Sequence, residues 1–224
     1  MGSFLNCCAY RTTHNLSIVK GRSKCDTCGH TLGAIDLIPV FSYLLAKGKC
    51  RYCGTKLDPK YLISEIACGS IYVLILLKFG LSIKTIEYLI FASVMLYASF
   101  TDLENKTIPQ KAVIIGIINR IVFCILGYDY LKDSILRSLI ITVPLFVFII
   151  IMEKILNKEA MGKGDIVLIF MASMYIPIIN NVFAIMFACI FGIIYAYITK
   201  KQNEYFAFAP SICLGYIIAI IINI

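Results

Sequence analysis

Apolar stretches of roughly 20 residues recur along most of this 224-residue chain, with short polar breaks between them. Such spacing is typical of helices that cross a bilayer, because each crossing requires about 20 apolar residues. Charged residues make up only 15% of the chain, whereas they approach about a quarter of an ordinary soluble domain. The chain is therefore predicted to be an all-α polytopic membrane protein, since hydrocarbon cannot satisfy open backbone groups.

Seven complete transmembrane helices are predicted, at about residues 61–79, 83–101, 108–127, 134–156, 165–180, 181–199 and 207–224. Residues 1–10 have the apolar character of the end of an eighth helix, and residues 11–60 form the one long polar segment. The predicted organisation is thus a helix remnant at 1–10, a loop at 11–60 and a helical membrane core at 61–224. Inside the loop, Leu32–Leu45 is apolar but too short to span, which indicates a place at the membrane interface.

Lysine and arginine are distributed unevenly between the predicted spans. Sixteen of the 21 lie in residues 11–60 or in breaks on the same side, and four lie on the other side, namely Lys78, Lys84, Lys132 and Arg137. The positive-inside rule then predicts that residues 11–60 are cytoplasmic and that the C-terminus is outside. The same rule accounts for the net charge of +8, and no recognisable motif indicates a nucleic-acid partner.

Two Cys-x2-Cys pairs lie in the loop, Cys25 with Cys28 and Cys50 with Cys53. Two residues between thiolates let both sulfurs of a turn point at one ion, and two such turns complete a tetrahedron. We predict a structural metal site, with zinc as the expected ion and iron as the alternative. Two disulfides are the other interpretation, which a reducing cytoplasm disfavours. His30 is an alternative ligand.

Metalloprotease chemistry is not expected from this metal site. A structural four-cysteine site is closed and leaves no coordination position for a reacting water. The chain has only two histidines, so it cannot form the His-Glu-x-x-His helix of zinc proteases. The predicted function of the metal is to hold the loop together.

Few acidic residues lie within or beside the predicted spans, and each is a functional candidate because charge is costly there. Asp102 follows the second span and Asp165 opens the fifth, so both are expected at the cytoplasmic face. Two carboxylates within reach share a proton, and one can activate water while the other polarises a carbonyl. A helix N-terminus would favour the charged form of Asp165. Gly162 and Gly164 would let a substrate strand approach it closely.

Structural alternatives exist for each of these residues. Asp165 is a suitable N-cap for the helix that follows it, and Asp102 is compatible with a solvated helix-end charge, as is Glu104 beside it. Glycine pairs in membrane proteins more often serve helix packing. The residues alone define no function for Glu65, which lies one turn into the first full span.

Several motifs follow one another in a fixed order over residues 2–165. They begin with Gly-Ser-Phe-Leu-Asn at 2–6 and Tyr-Arg at 10–11, and they continue with Arg-Ser-x-Cys-x2-Cys at 22–28, Asp-Leu-Ile-Pro at 36–39, Gly-x-Cys-Arg-x-Cys-Gly at 48–54, Tyr61-x3-Glu65, Asp102-x5-Ile108-Pro109 and Gly162-x-Gly164-Asp165. This series resembles the type IV prepilin leader peptidases. The ordered set is more specific than Gly-x-Gly-Asp alone, which presenilin-like and archaeal preflagellin peptidases share.

The resemblance implies a membrane aspartyl protease of the GxGD type in the bacterial inner membrane. It implies cleavage of prepilins and pseudopilins after a leader-ending glycine at the cytoplasmic face, with Asp102 and Asp165 as the catalytic acids. Members with the four-cysteine loop commonly also methylate the new amino terminus with S-adenosylmethionine, which serves type IV pili and type II secretion. Glu65 matches a family position of open function. The partners implied are prepilin or pseudopilin substrates and membrane lipid.

Two positions depart from the pattern that the resemblance implies. A complete first transmembrane helix is expected before Gly-Ser-Phe-Leu-Asn, and residues 1–10 contain only its end. Near the C-terminus, Phe208-Ala209-Pro210 stands where a Pro-Phe-Gly-Pro-like sequence is expected, so alanine replaces glycine. This replacement is expected to alter helix packing near the site.

Two other functions are compatible with the sequence. One is a different intramembrane GxGD protease that acts on signal peptides or transmembrane stubs, although the four-cysteine loop disfavours it. The other is a non-enzymatic transporter or assembly scaffold in which Asp165 and the intramembrane Arg120 line a pathway.

Overall fold

The computed structural model describes residues 1–17, 23–25, 27–33, 35–157, 161–199 and 206–222. Over these residues the regular secondary structure is helical, apart from two isolated β-bridges in the loop. A single 3-10 turn, Ile35–Leu37, precedes the second helix. The helices are α1 (Gly2–Thr13), α2 (Phe41–Leu45), α3 (Lys60–Phe79), α4 (Ile83–Asn105), α5 (Gln110–Ile125), α6 (Leu131–Leu156), α7 (Lys163–Ser173), α8 (Ile178–Thr199) and α9 (Ala209–Ile222).

The predicted all-helical class is confirmed for the described residues, and α3 to α9 lie at the seven predicted spans. Four of these helices, α3, α4, α6 and α8, are long and apolar enough to cross a membrane. The other three are shorter, with 16 residues in α5, 11 in α7 and 14 in α9. The chain is a multi-pass membrane protein, and the count of seven complete crossings stays a prediction.

The predicted orientation also stays a prediction. Five of the basic residues on which it depends lie outside the described residues, namely Lys20, Arg22, Lys158, Lys200 and Lys201. Residues 1–10, predicted as a helix remnant, form most of α1, which packs against α3 and α4.

The predicted continuous span over 165–180 is interrupted after Ser173, where α7 ends. The side-chain amide of Asn181 donates to the carbonyl oxygens of Ser173, Ile176 and Pro177, at 3.2, 3.0 and 3.2 Å. A buried amide therefore satisfies backbone acceptors that a continuous helix would satisfy itself. This contact, together with Pro177 just before α8, explains why the chain turns here.

Helix α4 is the most buried of the four candidate spans and packs against α1, α3, α5 and α9. The core around it includes Phe91 and Met95, which are fully buried. Helices α6 and α8, in contrast, expose most of their apolar side chains, as expected for helices that face lipid. The molecule is thus arranged around α4.

Helices α8 and α9 pack so closely that there is no room for a side chain at Gly215. A Cβ there would lie 2.3 Å from the carbonyl oxygen of Ala184 and 2.9 Å from the amide nitrogen of Ala188. Lipid tails are as apolar as the helix surfaces, so the hydrophobic effect does not drive membrane helices together. Close backbone packing of this kind stabilises their association instead.

A buried network of charges joins α4, α5 and α6 at the end of α4 opposite Asp102. The guanidinium of Arg120 donates to Glu87 at 2.6 Å and also pairs with Asp129. Arg137 donates to the same Asp129 oxygen at 2.5 Å. The Arg120 and Glu87 side chains are only 4% and 3% exposed. The charge of Arg120 is thus held by acidic partners within the protein.

Replacing Gly215 with alanine is expected to lower the free energy of unfolding by about 1–3 kcal/mol, because the added methyl group overlaps the α8 backbone. Thermal unfolding in detergent would measure the loss. The matched control is Gly69→Ala on α3, where a Cβ meets nothing within 4 Å. Equal stability of the two variants would contradict the close packing described here.

Replacing Arg120 with methionine is expected to cost about 3–5 kcal/mol, because Glu87 would be left buried without its cation. The same unfolding measurement applies, with Lys132→Met as the control, since Lys132 is an exposed cation on α6. A melting temperature that falls no further for Arg120→Met than for Lys132→Met would show that the network is not structural.

Candidate active site and metal loop

Asp102 lies in the last turn of α4 and is only 5% exposed to solvent. Its Oδ2 accepts a hydrogen bond of 2.9 Å from the backbone N–H of Ala209, the first residue of α9. The first amides of a helix have no partner within the helix, and side-chain oxygens commonly satisfy them. The Asp102 carboxylate therefore caps α9 and ties it to the end of α4.

This contact gives the departure at Phe208-Ala209-Pro210 a physical explanation. Ala209 is fully buried and meets Asp102 through its backbone, so alanine supplies the same N–H as glycine would. Pro210 is the second residue of α9. Proline has no N–H, but the first turn of a helix tolerates it because the amides there have no partner within the helix. The sequence indicated that these positions lie near the site but not that an amide would be the contact.

Asp165 is the third residue of α7, at the same end of the bundle. Gly162 occupies the N-cap position, and no side-chain capping bond forms there, so Asp165 is not the N-cap that the alternative interpretation required. Its Oδ1 is buried and has no hydrogen-bond partner. Asp102 is near enough for its charge to act on Asp165. The structure thus brings the two acids together.

The two glycines beside Asp165 have different surroundings. A Cβ on Gly162 would lie 3.0 Å from the Asp165 Oδ2, so a side chain at position 162 would crowd that carboxylate. A Cβ on Gly164 would lie 3.2 Å from Ile108, in the turn that follows α4. Gly164 therefore allows the start of α7 to approach the segment after Asp102, which is a packing function.

Glu65 contacts α1 and not the aspartate pair. Its two carboxylate oxygens accept hydrogen bonds from the backbone N–H groups of Gly2 and Ser3, at 3.1 and 2.7 Å. A buried carboxylate at a helix N-terminus stabilises unpaired amides and the helix dipole. Glu104, the acid nearest Asp102 in sequence, pairs instead with Lys60 at 3.1 Å. Neither glutamate takes part in the pair.

The four predicted metal ligands come together in the loop, with their Sγ atoms all within 4.8 Å of one another. The Sγ atoms of Cys25 and Cys53 are 3.9 Å apart, close to the about 3.8 Å that a tetrahedron with Zn–S bonds of about 2.3 Å requires. Each pair is followed by a glycine with positive φ, Gly29 and Gly54, whose N–H bonds back to the carbonyl of the first cysteine. The residues therefore fit a four-thiolate metal ion.

The chemistry of the thiols also fits a metal site. Backbone amides of Cys28 and Thr27 lower the pKa of the Cys25 thiol, and the hydroxyl and amide of Thr55 lower the pKa of Cys53 to about 6. The hydrogen bond from the His30 amide acts to lower the pKa of Cys28, but burial and the neighbouring thiols outweigh it and raise that pKa to about 11. Thiolates are the form that binds metal. The His30 ring stacks on Tyr52 at a centroid distance of 3.6 Å and is not part of the cluster. Every described cysteine is a free thiol.

Family models match two parts of the chain. The model of the bacterial peptidase A24 N-terminal domain matches residues 1–79, which contain the metal loop and Glu65. The model of the type IV leader peptidase family matches residues 89–197, which contain both aspartates. No solved structure is significantly similar to the chain.

Several curated proteins are similar to the chain at low identity. A Myxococcus xanthus prepilin leader peptidase/N-methyltransferase is 28% identical over 79% of this chain, which spans 53% of that relative. A Bacillus subtilis protein of the same name is 27% identical over 98% of this chain and 89% of its own length. A type 4 prepilin-like proteins leader peptide-processing enzyme of Escherichia coli is 28% identical over 92% and 77%. The chain thus spans about half of the first relative and most of the other two.

Purified protein is expected to contain one zinc ion per chain, and Cys50→Ser is expected to lose it because three thiolates no longer close the tetrahedron. Elemental analysis of the full chain measures the metal. Cys189→Ser, at an exposed cysteine of α8 outside the cluster, is the matched control and should retain the ion. Metal-free wild-type protein, or iron in place of zinc, would contradict the zinc assignment.

Proposed function

Because the chain belongs to the type IV leader peptidase family, we propose that it cleaves the leader of type IV prepilins or pseudopilins as a membrane aspartyl endopeptidase. Cleavage follows the last glycine of the leader, at the cytoplasmic face of the bacterial inner membrane. The observation that carries the proposal is the pairing of Asp102 and Asp165 at one end of the bundle, within electrostatic reach. The names of the relatives support the same substrate class.

The surroundings of the two acids favour different protonation states. Asp102 accepts an amide hydrogen bond from the start of α9, which stabilises a negative charge. Asp165 accepts a hydrogen bond from the Gly162 amide, but its Oδ1 is buried without a donor and Asp102 lies nearby, which favours a shared or retained proton there. We assign Asp102 as the initial base and Asp165 as the initial acid.

The reaction then follows general acid–base chemistry. Asp102 takes a proton from water as the water oxygen attacks the carbonyl carbon of the last leader glycine, and Asp165 gives its proton to that carbonyl oxygen. The tetrahedral intermediate collapses as its C–N bond breaks. Asp102 then protonates the leaving amine, and Asp165 recovers a proton from the hydroxyl group that becomes the carboxyl carbonyl. Both acids finish as they began.

The proposed substrate can reach this site from within the bilayer. A prepilin has a basic leader followed by an apolar helix, and that helix can lie in the same bilayer as α3 to α9. Gly162 has no side chain to crowd the Asp165 carboxylate, which would favour the close approach of an extended leader. The metal loop lies in the chain just before α3, whose first residue pairs with the end of α4. Zinc in that loop would hold its two turns together and takes no part in the cleavage.

We also propose that the protein methylates the amino group which cleavage exposes, as the names of the relatives indicate. S-adenosylmethionine is the methyl donor and is consumed as a co-substrate. The methyl group passes from the sulfonium to the amine, which loses a proton. We assign none of the described residues to that donor.

Replacement of Asp102 or Asp165 with asparagine is expected to reduce cleavage by at least about a thousandfold, since each variant lacks one half of the acid–base pair. The assay follows leader removal from a pilin-like substrate, with glycine before phenylalanine at the junction, in membranes that contain the full chain. Glu104→Gln is the matched control, because Glu104 lies two residues from Asp102 but pairs with Lys60. Unfolding measurements verify that each variant is folded.

Three results would replace the proposal. Cleavage that persists in both asparagine variants would exclude the paired-acid mechanism. Cleavage of signal peptides or transmembrane stubs, with the prepilin left intact, would assign a different GxGD substrate class. A non-enzymatic transporter or scaffold predicts that both asparagine variants support pilus assembly as well as the wild type does.

A further inference from the structure

The segment around α2 presents an apolar surface that no described helix covers. Among the described elements, α2 packs mainly against the 3-10 turn just before it, and the two together form this segment. Five large apolar side chains of this segment are between 45% and 72% exposed: Ile35, Ile38, Phe41, Leu44 and Leu45. A short apolar element of this kind beside a membrane helix is suited to the boundary between headgroups and acyl chains.

A cavity of about 370 Å³ lies beside this apolar surface, and Leu44 belongs to both. Its lining includes three exposed lysines, Lys47, Lys49 and Lys56, and no acidic residue. Tyr43 lies at its wall, and its hydroxyl donates to the carbonyl of Leu57 at 3.4 Å. The cavity thus combines three cations with an adjoining apolar face.

The position of the cavity in the chain sets its depth relative to the bilayer. Leu57 and Pro59 line it, and α3, a candidate membrane span, begins at Lys60. The cavity therefore lies where a membrane helix enters, which is the level of the lipid headgroups.

The positive charge in the cavity has no acidic counterpart among the described residues. Asp36 bonds to Arg51 and Tyr52 of the second cysteine turn, and Asp58 and Glu104 both pair with Lys60. A basic prepilin leader would be repelled by three uncompensated lysines. An anionic lipid provides the charge that is missing and acyl chains for the apolar face.

We propose that this cavity binds the phosphate of an anionic phospholipid, while the exposed apolar residues of the α2 segment lie among the acyl chains of the same leaflet. Lys47, Lys49 and Lys56 contact the phosphate as point charges. Asp36 holds the segment to the cysteine turn through Arg51 and Tyr52, so the metal loop sets its orientation. The proposal does not depend on the peptidase activity.

Lipid selectivity tests the phosphate site. Full-length protein is mixed with equal amounts of phosphatidylglycerol and phosphatidylcholine, and bound lipid is counted by native mass spectrometry. The wild type is expected to retain phosphatidylglycerol, and the triple variant Lys47→Gln/Lys49→Gln/Lys56→Gln is expected to bind it at least about tenfold more weakly. The charge-matched control Lys78→Gln/Lys84→Gln/Lys132→Gln removes three lysines elsewhere and should keep the preference.

A single tryptophan tests the depth of the segment, because the chain contains none. In vesicles of brominated phosphatidylglycerol, Phe41→Trp is expected to be quenched as strongly as Leu77→Trp, which lies on the exposed side of the membrane helix α3. Tyr52→Trp in the cysteine turn should remain unquenched. Retained zinc content verifies the fold of each loop variant.

Three results would overturn the proposal. Equal lipid preference in the two triple variants would mean that no specific site exists. Displacement of the bound lipid by millimolar inorganic phosphate would assign the cavity to small anions. An unquenched Phe41→Trp beside a quenched Leu77→Trp would place the α2 segment in water.

Discussion

The scarcity of hydrogen-bond partners inside a bilayer governs where polar groups lie in this molecule. Helix α4 has an acid near each end, about 22 Å apart along its axis, and the two are satisfied in different ways. Glu87 meets Arg120, so its charge is neutralised within the protein. Asp102 meets one backbone N–H of α9, which leaves a net negative charge. In the proposed mechanism only the second arrangement supplies a reacting group, and the apolar core around Phe91 separates the two ends.

Features that depend on nearby residues were predictable from the sequence. The lengths of the apolar stretches predicted helices where α3 to α9 are found, because hydrocarbon permits no other local structure. The spacing of Cys25, Cys28, Cys50 and Cys53 predicted a cluster, since each pair closes its own turn and the two turns are alike. The ordered motifs also pointed to the family that the comparisons indicate.

Features that depend on distant residues were not predictable. The break after α7 is stabilised by the side chain of Asn181, and nothing in the local hydropathy indicates it. Asp165 lies in the first turn of α7, as the sequence predicted, but the hydrogen bond from the start of α9 to Asp102 was not predicted. Glu65 satisfies the start of α1 across 63 residues. The hydrophobic periodicity and the residue spacing of a sequence describe one helix at a time, whereas each of these contacts joins two separate elements.

The bond between Asp102 and Ala209 also has a consequence for synthesis on the ribosome. The two residues are 107 positions apart, and α9 is the last described helix. When α4 enters the membrane, the Asp102 carboxylate has no hydrogen bond from Ala209, because that residue has not yet been made. Asp102 and Asp165 can therefore both be present before this hydrogen bond forms. The contact at Asp102 is completed only when α9 inserts. On the proposed assignment of the two acids, the pair therefore stays unorganised until α9 has been made, however early α4 and α7 insert.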